Sequence, residues 1–465
     1  MLSKPHITQV LEEALSTGGD WSDLFMEETK RHTAELSENT IKSVAHNENT
    51  GAGVRVVKDG KEFYAYTNDL SREGLGKIAR EVASAVSNKG PGKKVALDTS
   101  QVQRSNAQQS PERVTPKGGL QTHEVGIALL RKANEVARLV SPEIVQVNAS
   151  YLDEVQNVLV ANSDGMIKND TRTRGRFYVT SIAGCGQEKQ VGTESPGASK
   201  GFDFFESLDV DACAKNSAES ALRMLTAGPS PRGRMTVIID SGFGGVIFHE
   251  ACGHLLEASA VAKKSTVFAE SMGQVIASSC VSAVDDGTLK SEWGSQTMDD
   301  EGFPTQRNLL IENGVLKSFL VDRLNGERLG LKVTGSSRRQ SYRFSPTSRM
   351  NNTFILPGTS SLTQMITETD YGLYAKKLGG GSVNPATGEF NFAVTEGYMI
   401  RKGLIAEPVR GAVLIGRGEE ILKKIDRVGS ELKLAQGLCG AASGWVPVDV
   451  GQPPIRVQDL LVGGR

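Results

Sequence analysis

Val246-Ile-Phe-His-Glu-Ala-Cys-Gly-His-Leu-Leu256 sets two histidines and a carboxylate in one apolar run. His249 and His254 are the residue type that holds a hydrolytic metal, and Glu250 is placed to take a proton from an attacking water. The familiar pattern spaces two such histidines four apart on a helix. Here they are five apart, H-E-x-x-x-H. Five residues of α-helix turn about 500°, which sends the two rings roughly 140° apart. A one-residue π-bulge returns them to one face, and such bulges are common at functional sites. Gly253 is the weak point for it, since glycine costs a helix about 1 kcal/mol relative to alanine. The stretch therefore predicts a metal site on a bulged helix. The bland alternative is a buried helix with two hydrogen-bonded histidines. With only six histidines in 465 residues, chance placement explains the trio poorly.

A catalytic zinc takes three protein ligands and keeps one position open. Three residues compete for the third place. Glu257 lies one turn after His254, where the plain expectation is a solvated face. Cys252 lies three after His249, beside an apolar run, and reads as a small core residue. Cys439 sits in the glycine-flanked segment Gly437-Leu-Cys-Gly440, read as a loop that brings a thiolate close to a metal. Chemistry alone leaves the three open.

Working outward, Met235–Asp240 reads as an apolar strand and Ser241-Gly-Phe-Gly-Gly245 as a turn into the histidine helix. The turn lacks the Lys-Ser/Thr of a phosphate-binding loop, so it is a tight turn. Gly228-Pro-Ser-Pro-Arg-Gly233 breaks helix and strand alike and marks a linker, 228–234. Beyond the helix, Arg307–Leu320 and Glu389–Ile405 form hairpins around Asn313-Gly314 and Lys402-Gly403, and 418–428 reads as a helix. In the first half, 23–28, 33–44, 51–57 and 62–66 read as strands, with a turn at Lys58-Asp-Gly-Lys61. Helices are expected at 71–86, 124–139 and 209–225, with further strands at 145–151, 158–161 and 176–182. Residues 88–122 are polar and read as a long mobile excursion. The chain is thus expected to be α+β, with two domains of largely antiparallel sheet, 1–227 and 235–465.

Composition excludes several classes. The net charge is −1, from 53 basic and 54 acidic residues, which gives no nucleic-acid footprint or membrane-surface patch. No signal-peptide core or membrane span is read in the sequence. Five widely spaced cysteines fit reduced thiols in the cytoplasm. Zinc deaminases use a C-x-x-C pair, and this chain has none.

Several motifs in one order carry a more specific signal. Phe248-His-Glu-Ala-Cys-Gly-His-Leu-Leu-Glu257, Val284-Asp-Asp-Gly-Thr288, Asp299-Asp-Glu-Gly302 and Leu310-Ile-Glu-Asn-Gly-Val-Leu-Lys317 are followed by Thr334-Gly-Ser-Ser-Arg-Arg-Gln-Ser-Tyr342, Gly379-Gly-Gly381 and Asp449-Val-Gly-Gln-Pro453. On these the chain resembles the TldD subfamily of the TldD/PmbA proteins, named historically as modulators of DNA gyrase and regarded as zinc peptidases. The resemblance is strong in the C-terminal half and rests on element layout in the N-terminal half. It implies zinc held by His249, His254 and Cys439, with Glu250 as general base. It also implies unfolded or extended peptides as substrates, bound as an added strand, and either a TldE/PmbA-like partner subunit or a homodimer. The sequence departs from many members after Cys439, where Gly440-Ala-Ala-Ser-Gly444 follows. Arg338 and Arg339 are candidates for holding a peptide carboxylate, with ion pairing to Asp285, Asp286, Asp299 or Asp300 as their structural alternative. The competing function is a regulatory protein-binding factor of the gyrase-modulator type without significant hydrolysis.

Overall fold

The structure is a computed structural model that describes residues 2–86, 90–97, 122–384 and 387–464. Most of the expected excursion, 88–122, lies outside the described residues. Its described part, 90–97, packs beside the first helix, where Val95 is buried and its N–H donates to Glu12.

The first half is built on one antiparallel sheet. Its strands are β1 (Trp21–Ser37), β2 (Thr40–Lys58), β3 (Lys61–Thr67), β4 (Ile144–Asn162), β5 (Ile167–Cys185) and β6 (Glu188–Glu194). They run in the order β3-β2-β1-β4-β5-β6, with Gly197–Ala198 added on β5. Successive residues of a strand face opposite sides, and here the two sides have opposite chemistry. Leu24, Ala34, Ala149, Phe177 and Val179 point toward helices. The helices are α1 (Lys4–Ala14), α2 (Arg72–Ala85), α3 (Thr122–Val140) and the segment Val210–Leu225. Ser71 caps α2 by accepting from the Gly74 N–H, and Asp209 caps Val210–Leu225 by accepting from Ala212. The opposite side carries Phe25, Glu27, Arg31, Glu154 and Arg172, and the second half of the chain covers it. Arg55 makes buried ion pairs with Asp23 and with Glu301 of the second half, and Arg172 bonds Asp300.

The second half has two larger sheets. In one, five strands close on themselves, in the order Tyr371–Val383, Gly233–Ile239, Ile455–Gly463, Val413–Arg417 and Glu389–Arg401. The other runs from Val315–Leu316 through Arg307–Glu312, Ala283–Asp286, Asn352–Ile355 and Gly444–Gln452 to Lys433–Ala441. The architecture is α+β with mostly antiparallel sheets, as expected. Among the described residues, three strand pairings beyond the hairpins are parallel: 372–375 with 236–239, 352–354 with 449–451, and 409–410 with 228–229. The last of these makes Gly228–Pro229 a short strand. The expected turn at Asp59-Gly60 is present, and a second, unforeseen turn at Glu38-Asn39 joins β1 to β2.

The larger apolar cluster of the second half takes in Val246, Ile247, Phe248, Ala251, Cys252, Leu255, Leu256 and Cys439. The histidine stretch therefore passes through the core. The turn before it is the expected tight turn, a single 3-10 turn over Gly242–Gly245. A Cβ on Gly245 would fall 2.4 Å from the Gly451 nitrogen. That close backbone approach seats the histidine helix against Gly444–Gln452, the partner strand of the one bearing Cys439.

Candidate metal centre

The expected bulged helix is replaced by a broken one. An α-helix covers Val246–Ala251, and a 3-10 turn covers Gly253–Leu256. Cys252 sits between them at φ −136°, ψ −52°, outside helical geometry. The extra residue between the histidines is absorbed by this break rather than by a π turn. Gly253 matters for space: a Cβ there would meet the Met350 sulfur at 2.2 Å. Cys439 is likewise not in the expected loop. It lies on the strand Lys433–Ala441, opposite Val446, in a hairpin turning at 442–443. Its flanking glycines do not mark a loop.

The break and the hairpin bring three side chains together. His249 Nε2 and His254 Nε2 each lie 3.2 Å from Cys439 Sγ. The two rings stand edge to face, with centroids 5.0 Å apart. One donor atom from each of His249, His254 and Cys439 lies within 4.8 Å of the others. Two imidazole nitrogens and a sulfur at these separations suit a zinc ion, whose bonds run about 2.0–2.3 Å. Burial pushes the Cys439 thiol up, but the two imidazoles outweigh it and hold its pKa well below the ordinary thiol value. For His254, burial lowers the pKa, and the Glu257 and Cys439 charges outweigh it and carry it well above the ordinary imidazole value. Each partner stabilises the charged form of the other.

Glu257 stands behind the site. Its Oε1 meets His254 Nδ1 at 3.1 Å, so it orients the ring that presents Nε2 to Cys439. Arg349 ties this support to the hairpin. It is fully buried, lies 3.8 Å from Glu257, and donates to the carbonyls of Cys439 and Gly444 and to Ser443 Oγ. Sequence reading did not single out Arg349, because nothing in its neighbours signals burial. His249 is held differently: its Nδ1 is buried without a hydrogen-bond partner among the described residues. Cys252 is fully buried in apolar surroundings that push its thiol pKa up, and it sits outside the cluster.

Glu250 is partly exposed, and its carboxylate lies 3.9 Å from His254 Nε2. Arg338 and Arg339 are not at this centre. Arg338 donates to the Met350 carbonyl, and burial with neighbouring Arg174 pulls its pKa down to about 9. Arg339 donates to Tyr64 and to the Asp300 carbonyl, and stands 3.7 Å from Asp23. Both line a cleft of about 840 Å³ between the polar side of the first sheet and the second half, which reaches Trp445 and Val446 of the cysteine hairpin. Among the described residues no helix is long and apolar enough to cross a membrane.

The PmbA/TldA metallopeptidase models match three successive parts of the chain: domain 1 at residues 22–87, the central domain at 120–225 and the C-terminal domain at 232–464. The chain belongs to this metallopeptidase family. A metalloprotease TldD homolog of Buchnera aphidicola is 33% identical, over 98% of this chain and 95% of the relative. Another from Haemophilus influenzae is 34% identical, over 96% of this chain and 93% of the relative. In fold, TldE of Thermococcus kodakarensis superposes with a TM-score of 0.77 at 19% identity, covering 99% of both chains. The matches reach well into the first half, where the sequence motifs alone supported only a similar layout of elements.

Proposed function

We propose that this chain is a zinc-dependent peptidase that hydrolyses unfolded or extended peptides, as the catalytic subunit of a TldD/TldE-like assembly or as a homodimer. The observation that carries the reading is the convergence of His249, His254 and Cys439 within 4.8 Å of one another, with the Glu250 carboxylate 3.9 Å from His254 Nε2. The metalloprotease names of the relatives support it over the regulatory alternative. A zinc ion in this site supplies Lewis acidity and lowers the pKa of a water toward roughly 7. His249, His254 and Cys439 hold that charge in place. Glu250 accepts the proton of the attacking water and returns it to the leaving amine. Glu257 and Arg349 keep His254 and the hairpin from moving as charge develops.

The cleft beside the hairpin offers the room an extended peptide needs, and exposed Leu438 and Trp445 at its edge offer apolar contact. Backbone pairing gives such binding little side-chain preference. The strand carrying Cys439 has carbonyls already taken by Arg176, Trp293 and Arg349, so an added strand pairs elsewhere. A two-domain division at 228–234 belongs to the same proposal and is supported by the separate larger apolar clusters of the two halves, which two small clusters join at their contact. So does a cytoplasmic location, which the five free cysteines support.

The test is Glu250→Ala in the purified chain, alone and with any TldE-like neighbour. Zinc should remain while cleavage of an unfolded peptide disappears. Loss of zinc would make Glu250 a ligand, and retained cleavage would remove it as the base.

A further inference from the structure

The floor of the cleft is arginine-rich in a way that its own acids do not balance. Arg172, Arg174 and Arg176 alternate along β5 and share one face. Among the described residues, seven arginines line the cleft, with Glu27, Glu154 and Asp300 as its acids. Those acids are already engaged. Asp300 bonds Arg172 at 2.7 Å, and Glu154 bonds Arg31 at 2.9 Å. Glu27 accepts from Gln156 and Asn49, and burial pushes its pKa up to about 7.

What remains is cationic and unsatisfied. Arg174 is 3% exposed and makes no hydrogen bond among the described residues; its ion pair with Glu154 is long, at 3.6 Å. Arg176 donates to one carbonyl, of Gln436 in the cysteine hairpin, and its guanidinium lies over Tyr178 and Trp293. The Nε atoms of Arg174 and Arg176 have no hydrogen-bond partner among the described residues. A buried guanidinium without hydrogen bonds is costly unless something else completes it. A planar fork in a cavity matches a carboxylate, which it can grip through two bonds.

We propose that the arginine floor of this cleft binds a carboxylate of the peptide substrate, through Arg174 and Arg176, and so selects which peptides reach the metal centre. This rests on the peptidase reading for its substrate class, though the binding itself does not need hydrolysis. The cleft borders the hairpin through Val446, the direct cross-strand neighbour of Cys439, which sets the floor beside the strand that carries the candidate ligand. The carboxylate comes either from the peptide C-terminus or from an Asp or Glu side chain.

The experiment uses one labelled ten-residue peptide in four versions, with a free or amidated C-terminus and with Glu or Gln at its centre. Binding is read by fluorescence anisotropy to full-length zinc-loaded Glu250→Gln protein, which separates binding from turnover. The carboxylate versions should bind about tenfold or more tighter, the scale of a charge-assisted hydrogen bond. Preference for the free C-terminus, or for Glu, identifies the source. In Arg174→Gln and Arg176→Gln that preference should collapse toward one; the melting temperature should stay near that of the parent in Arg174→Gln, whereas Arg176→Gln also loses its bond to Gln436 and its ring contacts. A purely structural arginine would lower the melting temperature instead. Equal binding of all four peptides by the parent protein overturns the proposal, as does full preference retained in both variants. Carboxylate-dependent binding without cleavage by the wild type would sink the peptidase reading and leave this one standing.

Discussion

His254 Nδ1 lies 3.1 Å from Glu257 Oε1, which places Glu257 on the side of the imidazole away from Cys439. A glutamate three residues after a histidine is thereby a support for the ring. His249 has no such partner at Nδ1 among the described residues, so the two histidines are held unequally. Glu257→Gln should keep a metal site but weaken it, by about 10- to 100-fold in zinc affinity. Competition with a zinc chelator measures this. Unchanged affinity would mean that Arg349 and the hairpin alone fix the ring.

The two buried cysteines should separate cleanly. Cys439→Ala removes the sulfur that both rings face and should abolish zinc binding and cleavage together. Cys252→Ala should leave both near wild type, with a stability loss of about 1 kcal/mol from a lost core contact. The opposite pattern would place every ligand on the 246–257 segment.

Gly253→Ala pits two effects against each other. Alanine favours helical backbone by up to about 1 kcal/mol. Its Cβ, however, collides with the sulfur of fully buried Met350, and overpacking of this kind costs about 1–3 kcal/mol. The collision should win, with a lower urea midpoint and weaker zinc binding, because His254 is the next residue. A more stable variant would show that Met350 has room to move.

Glu27 should make stability depend on pH. Burial raises its folded pKa from 4.5 to about 7. Between those values the folded state holds a proton that the unfolded state has released. This contribution is therefore full below pH 4.5 and is lost as pH rises through about 7. Glu27→Gln removes that loss, so its stability relative to wild type should grow from pH 5 to pH 8, by up to about 3 kcal/mol. Urea midpoints at the two pH values test it. A constant difference would mean that Glu27 is ionised throughout.

The parts of this fold legible in the sequence are those whose pattern is local. Ser71 and Asp209 open their helices as caps, and Asp59-Gly60 turns a hairpin, because each acts on adjacent backbone. The long strands were legible only in fragments. In β1, Glu27, Thr29 and Arg31 break the apolar alternation, since the surface covering them comes from Asp300, Gln340 and their neighbours far along the chain. The clustering of His249, His254 and Cys439 agrees with what the family resemblance implied, but the backbone that brings them together was not legible. A helix break at Cys252 and a π-bulge satisfy the same five-residue spacing. Gly437 and Gly440 read as loop formers although they sit in a paired strand. Arg349 and the arginine floor were not foreseen, because burial of a charge is decided by what packs over it.

The central claim is that His249, His254 and Cys439 form one zinc centre for peptide hydrolysis. Elemental analysis of the purified chain, paired with peptide cleavage before and after metal removal, tests it most directly. About one equivalent of zinc per chain is expected, with cleavage lost on chelation and restored by zinc. Less than about half an equivalent, with another metal restoring cleavage better than zinc, would contradict it.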